Sequence, residues 1–341
     1  MQPSRGVWVL GEERNGAIHP VSHELLAWGR GLADRLGEPL TCVILGENVH
    51  AQAEELVHHG ADCVITAADP LLGTFLPDPY SRILTGLIKA HEPDVVLASA
   101  TTMGRTLMPI LAAELHTGLT ADCTGLEIDP EERILLQSRP AIGGNVMATI
   151  KTPHHRPQMA TVRPKSKRPL PRDPARSGEI IAHVVEAVEL KSRIVRVGFE
   201  ADPTTKASIQ DADVVIAGGK GLQNAKKFAR IFEIAEALDG TVGASRAAVD
   251  QGWASYAHQV GLSGKSVTPK LYMALGISGS ANHLAGMASS ERIVAINKDP
   301  EAGIFKVADF GIVGDLGEIV PILIRRLREI GGEDPGDASN A

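Results

Sequence analysis

The residues best suited to chemistry lie in segment 271–297, between two apolar runs, LYMAL and IVAIN, that have the length of buried strands. Gly276 and Gly279 allow a tight turn close to a ligand, and Ser280 can cap a helix that extends through Met287. A helix that begins after a glycine turn presents free N–H groups and a positive dipole end, which suits a phosphate. The pattern fits either a nucleotide site on a doubly wound sheet or an ordinary strand–helix–strand unit.

The same segment carries a denser signature. Its parts are Tyr272, Gly276 to Gly279, His283, Gly286 and Ala295 to Asn297. Further blocks are GASRAAVD at 243–250, QVG at 259–261, SGK at 263–265, NKDP at 297–300 and ADFG at 308–311. In this order they resemble the signature of the α subunit of electron-transfer flavoproteins and of FixB-type proteins. The match is dense from about Asp213 to Pro321 and looser before that.

This resemblance implies a fold and an activity. It predicts an α/β protein of two domains, each with a mainly parallel doubly wound sheet, the C-terminal one being a Rossmann-like FAD-binding domain. It also predicts a heterodimer with the electron-transfer flavoprotein β subunit. The pair would carry electrons from an acyl-CoA or related dehydrogenase to a quinone oxidoreductase or a ferredoxin-linked acceptor. Whether it also bifurcates electrons depends on the β subunit.

The resemblance implies roles for three residues near the flavin ring. Arg246 is expected to face the isoalloxazine, because a guanidinium stays charged and can lie flat on an aromatic face. His283 is expected to donate to the C2 carbonyl as a neutral imidazole, since a helix N-terminus lowers its pKa. Ser263 stands where the family usually has threonine and keeps a hydroxyl for flavin N5. From the residues alone, a surface salt bridge for Arg246 and a structural role for His283 remain open.

The resemblance also implies contacts for the rest of FAD. The diphosphate and ribose are expected on Ser278, Gly279 and Ser280, and the adenosine half on Asn297 and Asp315. The predicted cofactor-binding residues are Lys220, Ser245, Arg246, Gln259, Val260, Gly261, Leu262, Ser263, Ser278, Gly279, Ser280, Ala281, Asn282, His283, Asn297, Asp315 and Leu316. No catalytic residue and no metal ligand is predicted.

Besides Ser263, four positions depart from the family pattern. Lys220 replaces the usual arginine, so a point charge stands where a bidentate fork is common. Leu262 occupies a position that is commonly glutamine, and Ala281 and Asn282 replace an apolar residue and a glutamine. We expect flavin binding to survive these changes, while the flavin potential and the partner preference stay open.

Composition excludes some classes of protein. The 341 residues suffice for two domains, and the formal net charge of -7 gives no support to nucleic-acid binding. No run is long and apolar enough to predict membrane insertion, and the N-terminus MQPSRGVWVL leads into a strand without a leader pattern. The three cysteines lack C-x-x-C spacing, which is typical of free thiols and predicts a cytoplasmic location.

The order of elements predicts the domain organisation. Strands and helices alternate to about residue 115, which favours a parallel sheet covered on both faces. Residues 119–161 read as successive strands and predict an antiparallel excursion at the domain edge. Asp202 to Thr205 is the candidate hinge. We therefore predict a scaffold domain at 1–202, an FAD-binding domain at 205–332 and a disordered tail at 333–341.

Two alternatives remain from the residues alone, a nicotinamide-dependent oxidoreductase subunit and a scaffold subunit without cofactor. Gly219, Gly221 and Asn224 almost form a dinucleotide fingerprint, but its last glycine is missing. The GASR block with a single histidine favours a flavin, because no acid–base constellation for hydride chemistry is evident.

Overall fold

The computed structural model describes residues 6–141, 146–198 and 208–330. They form two compact units, the first made of 6–141 and 146–197 and the second of 198 and 208–330. The predicted hinge at 202–205 and the predicted tail at 333–341 lie outside the described residues.

The first unit alternates strands and helices over most of its length. Its elements are β1 (Val7–Gly11), β2 (Glu13–Arg14), β3 (Ala17–Ile18), α1 (Pro20–Leu36), β4 (Leu40–Gly46), α2 (Ala53–His58), β5 (Cys63–Ala68), α3 (Pro77–His91), β6 (Val95–Ser99), α4 (Thr102–Glu114), β7 (Leu119–Cys123), β8 (Gly125–Ile128), β9 (Leu135–Pro140), β10 (Met147–Ile150), β11 (Gln158–Val162) and β12 (Glu179–His183). Seven strands form one parallel sheet in the order β12-β5-β4-β1-β6-β11-β7.

Opposite faces of this sheet carry separate cores. Val7 and Val9 of β1 pack in a cluster with residues of α1 and α2, whereas Trp8 and Leu10 pack with residues of α3 and α4. Successive strand residues point to opposite faces, so an uninterrupted apolar strand requires a covering layer on each side. The predicted doubly wound parallel sheet is confirmed for this unit.

The predicted antiparallel excursion is smaller than expected. Of the strands between residues 119 and 162, β8, β9 and β10 form an antiparallel sheet, in the order β10-β9-β8. β7 and β11 instead pair with each other in parallel, and β11 also pairs in parallel with β6. All five residues of β11 are buried, which suits a strand inside a covered sheet. The prediction that all strands of segment 119–161 are antiparallel was therefore wrong for β7 and β11. A lack of helices between strands does not determine the direction in which the strands pair.

The second unit holds a five-stranded parallel sheet in the order β14-β13-β15-β16-β17. Its elements are β13 (Val214–Gly218), α5 (Ala225–Ala237), β14 (Thr241–Ala244), α6 (Arg246–Asp250), β15 (Leu271–Leu275), α7 (Ala281–Leu284), β16 (Arg292–Asn297), β17 (Phe310–Val313) and α8 (Leu316–Ile330). The carboxyl ends of parallel strands meet at one edge, where α/β sheets bind ligands. The segments that follow β13, β15 and β16 are therefore brought together.

The two faces of the second sheet are covered differently. α5 and α8 cover one face with Phe228, Ile231, Val320 and Ile324. The other face packs mainly against loops and short turns, through residues such as Val267. Long helices thus cover only one face of this sheet. The other face is covered by loops, which can carry functional side chains.

Candidate functional site

A narrow cleft lies at the carboxyl edge of the second sheet. Its lining residues are Gly221, Gln223, Lys227, Gly276, Asn297, Lys298, Asp315, Leu316 and Gly317. Gly276 has φ +67°, and a Cβ on Gly221 would lie 2.7 Å from the Gly276 Cα. The backbones that follow β13 and β15 can approach this closely only because both residues are glycine.

The turn between β15 and α7 is held from two sides. Asn297 Nδ2 donates to the Ile277 carbonyl at 2.9 Å, and the Ile304 N–H donates to the Ser278 carbonyl at 3.1 Å. Gly279 has φ +79°, and a Cβ there would overlap the Ile304 backbone nitrogen. The turn therefore has a defined conformation, and Asn297 acts as one of its braces.

This turn carries backbone donors without acceptors. Among the residues that the structure describes, no acceptor receives the N–H groups of residues 278–282. Ser280 precedes α7, and its side chain makes no capping hydrogen bond. Free backbone N–H groups in a glycine turn before a helix are suited to the oxygens of a phosphate.

The helix after the turn is shorter than predicted. α7 ends at Leu284. Met287 lies beyond it in a turn, and the Met287 N–H donates to the Leu284 carbonyl. A helix of four residues sums few peptide dipoles, so its macrodipole is small. Attraction for an anion at this turn therefore rests on the individual N–H groups.

Arg246 lies at the start of α6. Ser245 caps this helix by accepting the Ala248 N–H at 3.4 Å. The Arg246 side chain is 69% exposed, and its Nε lies 3.6 Å from Asp250 Oδ2. A pair so open to solvent contributes little to stability, so the guanidinium is available to a ligand that covers it.

The loop at 259–264 is pinned to neighbouring segments. The Val260 N–H donates to Ala244 O at 2.9 Å, and the Leu262 N–H donates to Asn282 O at 2.7 Å. Gly261 has φ +137°, a conformation that side chains disfavour. The loop thus bridges β14 and α7 and places the exposed Leu262 side chain on the surface.

His283 is buried rather than open to the cleft. Its Nε2 lies 2.9 Å from the hydroxyl of Tyr272, which is also buried. Burial lowers the pKa of His283 to about 4, although the Val260 carbonyl acts in the opposite direction. The direction agrees with the neutral imidazole expected from the sequence, but the cause is desolvation and not the helix dipole.

The structure brings most predicted residues to the same edge, in three groups. Asn297, Asp315 and Leu316 line the cleft, residues 278–283 form the turn and α7, and the remaining loop residues flank β14. Asp315 Oδ1 accepts the Gly317 N–H at 2.6 Å at the start of α8. Lys220 is exposed beside the cleft and, within the described part of the chain, its ammonium has no partner.

Sequence reasoning missed three side chains that line the cleft. Lys227, in the first turn of α5, donates from Nζ to Gln223 Oε1 at 2.7 Å, and both side chains line the cleft. Lys298 lines it directly after β16. Its position directly after a strand end was a usable signal. Tyr272 was recognised only as part of the sequence signature, and its contact with His283 appears only in the structure.

A parallel sheet with a glycine-lined cleft and open backbone donors at its carboxyl edge defines a nucleotide-binding α/β protein. The profile of the electron transfer flavoprotein domain matches residues 7–188, and that of the electron transfer flavoprotein FAD-binding domain matches residues 208–288. The chain belongs to the family of electron-transfer flavoprotein α subunits. Its cofactor is FAD, and its function is electron transfer as a flavoprotein subunit.

Relatives match over nearly the whole chain. The electron transfer flavoprotein subunit alpha of Thermoanaerobacterium thermosaccharolyticum is 45% identical, covering 97% of this chain and 100% of the relative. The protein FixB of Clostridium saccharobutylicum is 43% identical, over 96% and 97%. The acryloyl-CoA reductase electron transfer subunit beta of Anaerotignum propionicum is 39% identical, over 95% and 96%.

These matches confirm the predicted family, fold, cofactor and electron-transfer role, and they give no support to a nicotinamide-dependent or cofactor-free subunit. Membership of this family implies a β-subunit partner. Within the described residues, none of the helices combines the length and the apolar character that a membrane crossing needs.

Proposed function

We propose that FAD lies along the carboxyl edge of the second sheet. Its diphosphate rests on the N–H groups of residues 278–282, and its adenosine half enters the cleft beside Asn297 and Asp315. Its ring lies against Arg246 and the loop at 259–263. The observation that carries this placement is the row of backbone donors without acceptors, at the point where the strands end.

The donor set of this edge fits a flavin dinucleotide. Arg246 supplies a permanent charge for the negatively charged reduced ring, and Ser263 supplies an exposed hydroxyl. Lys227 and Lys298 add cations to the cleft, and Lys220 adds one beside it. Bound FAD would supply the electron-carrying ring, while these residues bind it, orient it and adjust the energy of its charged forms.

Flavin titrations test this placement. The flavin-stripped chain is titrated with FAD and with riboflavin, which lacks the diphosphate and adenosine. We expect FAD to bind at least 100-fold more tightly, since several charge-assisted hydrogen bonds, each worth about 1.5–3 kcal/mol, are added. Equal affinities would contradict the placement of the diphosphate on the turn.

A variant pair tests the adenosine end. Asp315→Asn keeps a residue that can cap α8, because asparagine is a good N-cap, but it removes the charged acceptor. We expect about fivefold weaker FAD binding with unchanged riboflavin binding, as a neutral acceptor replaces a charged one. Asp239→Asn is the control, because Asp239 is exposed and precedes β14 at the amino edge of the sheet.

The subunit assembles, in this proposal, with the electron-transfer flavoprotein β subunit. A flavin on an open strand edge needs a second wall to exclude water. Co-expression with the β subunit should yield a stable one-to-one complex that retains FAD. A soluble monomer that is fully loaded with FAD on its own would contradict the need for the partner.

The electron donor is an acyl-CoA or related dehydrogenase, and the acceptor is a quinone oxidoreductase or a ferredoxin-linked protein. The name of the Anaerotignum propionicum relative, which links it to acryloyl-CoA reductase, supports a partner of the acyl-CoA type. Reduction of the purified complex by an acyl-CoA dehydrogenase and its substrate, followed by flavin absorbance, is the test. The three free cysteines fit a reducing compartment and support a cytoplasmic location as part of the proposal.

A further inference from the structure

A cavity of about 290 Å³ lies in the first unit between α1 and β8. Its apolar wall consists of Leu32 of α1 and of Leu126 and Ile128 of β8, and all three side chains are buried. Trp28 of α1 adds an aromatic surface. Cavities that bind small molecules usually measure about 300–1,000 Å³ and have mainly apolar walls with a few polar groups. This cavity is at the lower limit of that range, so it suits a ligand with a short chain or a single ring.

Two cations line the same cavity without an anionic partner. Lys167 Nζ lies 4.5 Å from the centre of the Trp28 ring, and Arg35 is exposed on α1. Within the part of the chain that the structure describes, neither cation forms an ion pair. The lining also includes the exposed carboxylate of Glu127, which is paired with neither of them. The cavity thus carries an excess of positive charge.

The position of the Lys167 ammonium is unfavourable as long as no anion accompanies it. Burial lowers the pKa of this ammonium below its usual value. It lies close to Gly31, where a Cβ would be 3.2 Å from Lys167 Nζ. A partly buried charge loses hydration, and the ring of Trp28 compensates only part of this loss. A carboxylate in the cavity would supply the missing negative charge through a charge-assisted hydrogen bond.

The aromatic wall is held in place by a chain of hydrogen bonds. Trp28 Nε1 donates to Ser166 Oγ at 3.2 Å, and Ser166 Oγ donates to the Arg163 carbonyl at 2.6 Å. The Arg163 guanidinium donates in turn to both carboxylate oxygens of Asp122, at 3.1 and 2.6 Å. The wall is therefore formed before a ligand binds, which reduces the entropic cost of binding.

We propose that this cavity binds a small organic anion, namely a carboxylate with a short apolar chain. The carboxylate pairs with Lys167 and Arg35, and the chain packs against the apolar wall and Trp28. The proposal is independent of the placement of FAD, because every residue that forms the cavity belongs to the first unit.

Hexanoate is the probe, and the indole N–H groups of the three tryptophans are the reporters. Proton–nitrogen NMR spectra of the full, FAD-loaded chain, labelled with nitrogen-15, are recorded during a titration, and Trp28→Phe assigns the Trp28 signal. We expect this signal to shift, while those of the buried Trp8 and of Trp253 in the second unit stay unchanged. Hexylammonium and 1-hexanol, which lack the carboxylate, should bind at least fivefold more weakly, and so should acetate, which lacks the chain.

A variant pair tests the cation. Lys167→Met removes the charge and keeps an apolar side chain, so we expect hexanoate to bind at least fivefold more weakly and 1-hexanol to bind as before. Unchanged binding of 1-hexanol shows that the cavity of the variant is intact. Lys89→Met is the matched control, because Lys89 is an exposed lysine near the end of α3 and does not line the cavity. It should leave hexanoate binding unchanged.

Three results would overturn the proposal. Equal affinities for hexanoate and 1-hexanol, or unchanged hexanoate binding in Lys167→Met, would show that the cations do not select an anion. Equal affinities for hexanoate and acetate would show that the apolar wall takes no part. A shift of all three indole signals, or of none, would show that hexanoate does not bind specifically in this cavity.

Discussion

Gln259 Nε2 lies 3.0 Å from the Ser263 carbonyl oxygen and 3.1 Å from Ser263 Oγ. The carbonyl can only accept, so the amide nitrogen and not the amide oxygen of Gln259 faces Ser263. The serine oxygen therefore receives a hydrogen bond from Gln259 and directs its own proton elsewhere. Since Ser263 is exposed, its O–H is presented outward as a donor.

The first prediction concerns this orientation. In Gln259→Glu a carboxylate accepts the serine proton, so the outward donor is withdrawn. N5 of the oxidised flavin accepts a hydrogen bond, whereas N5 of the reduced flavin donates one. An outward Ser263 hydroxyl therefore stabilises the oxidised flavin. We expect its withdrawal, which is the Ser263-dependent part of the change, to raise the flavin potential. A neutral hydrogen bond of about 0.5–1.5 kcal/mol corresponds to about 20–65 mV for one electron.

The measurement is a double-mutant cycle with Ser263→Ala, read as flavin potentials. The direct effect of the new charge is present in both backgrounds and cancels, which leaves the coupling between the two residues. Additive changes in potential would show that Gln259 does not orient the Ser263 hydroxyl.

A second prediction concerns Arg246. Its charge should stabilise the negatively charged reduced flavin, so Arg246→Ala should lower the potential while FAD stays bound. A charge-assisted bond of about 1.5–3 kcal/mol corresponds to about 60–130 mV for one electron. Arg246→Lys should recover only part of the loss, because an ammonium cannot spread over the ring face.

Reductive titrations with a dye of known potential measure this effect. Arg230→Ala is the control, because Arg230 is another exposed arginine with a long ion pair, 3.9 Å from Glu233. An unchanged potential in Arg246→Ala, with FAD retained, would contradict the proposed contact of Arg246 with the flavin. The role of Arg246 would then be limited to its surface ion pair with Asp250.

A third prediction is a pH dependence of stability due to His283. Its pKa falls from 6.5 to about 4 on folding, so between these values only the unfolded chain binds the proton. Stability should therefore fall as pH falls from 6.5 towards 4, and should not depend on this residue above pH 6.5. At about 1.4 kcal/mol per pKa unit, the full loss is about 3 kcal/mol.

Denaturant unfolding of the flavin-free chain at pH 7 and pH 5 checks this dependence. His283→Gln, which cannot be protonated, should lose less stability between the two values than the wild-type chain. The same loss in both proteins would mean that the imidazole is protonated as readily in the folded state as in the unfolded state.

A fourth prediction contrasts two glycines of the first unit. Gly86 lies exposed within α3, and a Cβ there would meet no atom within 4 Å. Gly86→Ala should therefore stabilise the protein by about 0.5–1 kcal/mol through helix propensity. Gly104→Ala places a Cβ on the Ser99 carbonyl oxygen and should destabilise it. Thermal unfolding compares the two, and a stabilising Gly104→Ala would contradict the close packing of α4 on β6.

Much of the fold and the site is predictable from local sequence. The alternation of apolar strands and helices predicts parallel sheets, because its periodicity is set within each segment. Asn224 is recognisable as the cap of α5 and accepts the Lys227 N–H at 2.9 Å. The glycine turn and its flanking blocks suffice to identify the family and FAD, since they depend on residue type and order.

Tertiary structure alone decided the direction of strands and the partners of side chains. β11 joins the parallel sheet because it is buried between β6 and β7. The residues of β11 alone do not indicate this position. The exposure of Arg246 at the start of α6 and the bonds of Gln259 to Ser263 depend on where α6 and the loop at 259–264 lie in the folded chain. The contact of Tyr272 with His283 exists only because β15 and α7 pack together, and the same packing excludes water and lowers the pKa of that histidine. Hydrogen-bond direction and desolvation depend on the atoms that surround a group in space, and residues distant in sequence supply many of these atoms.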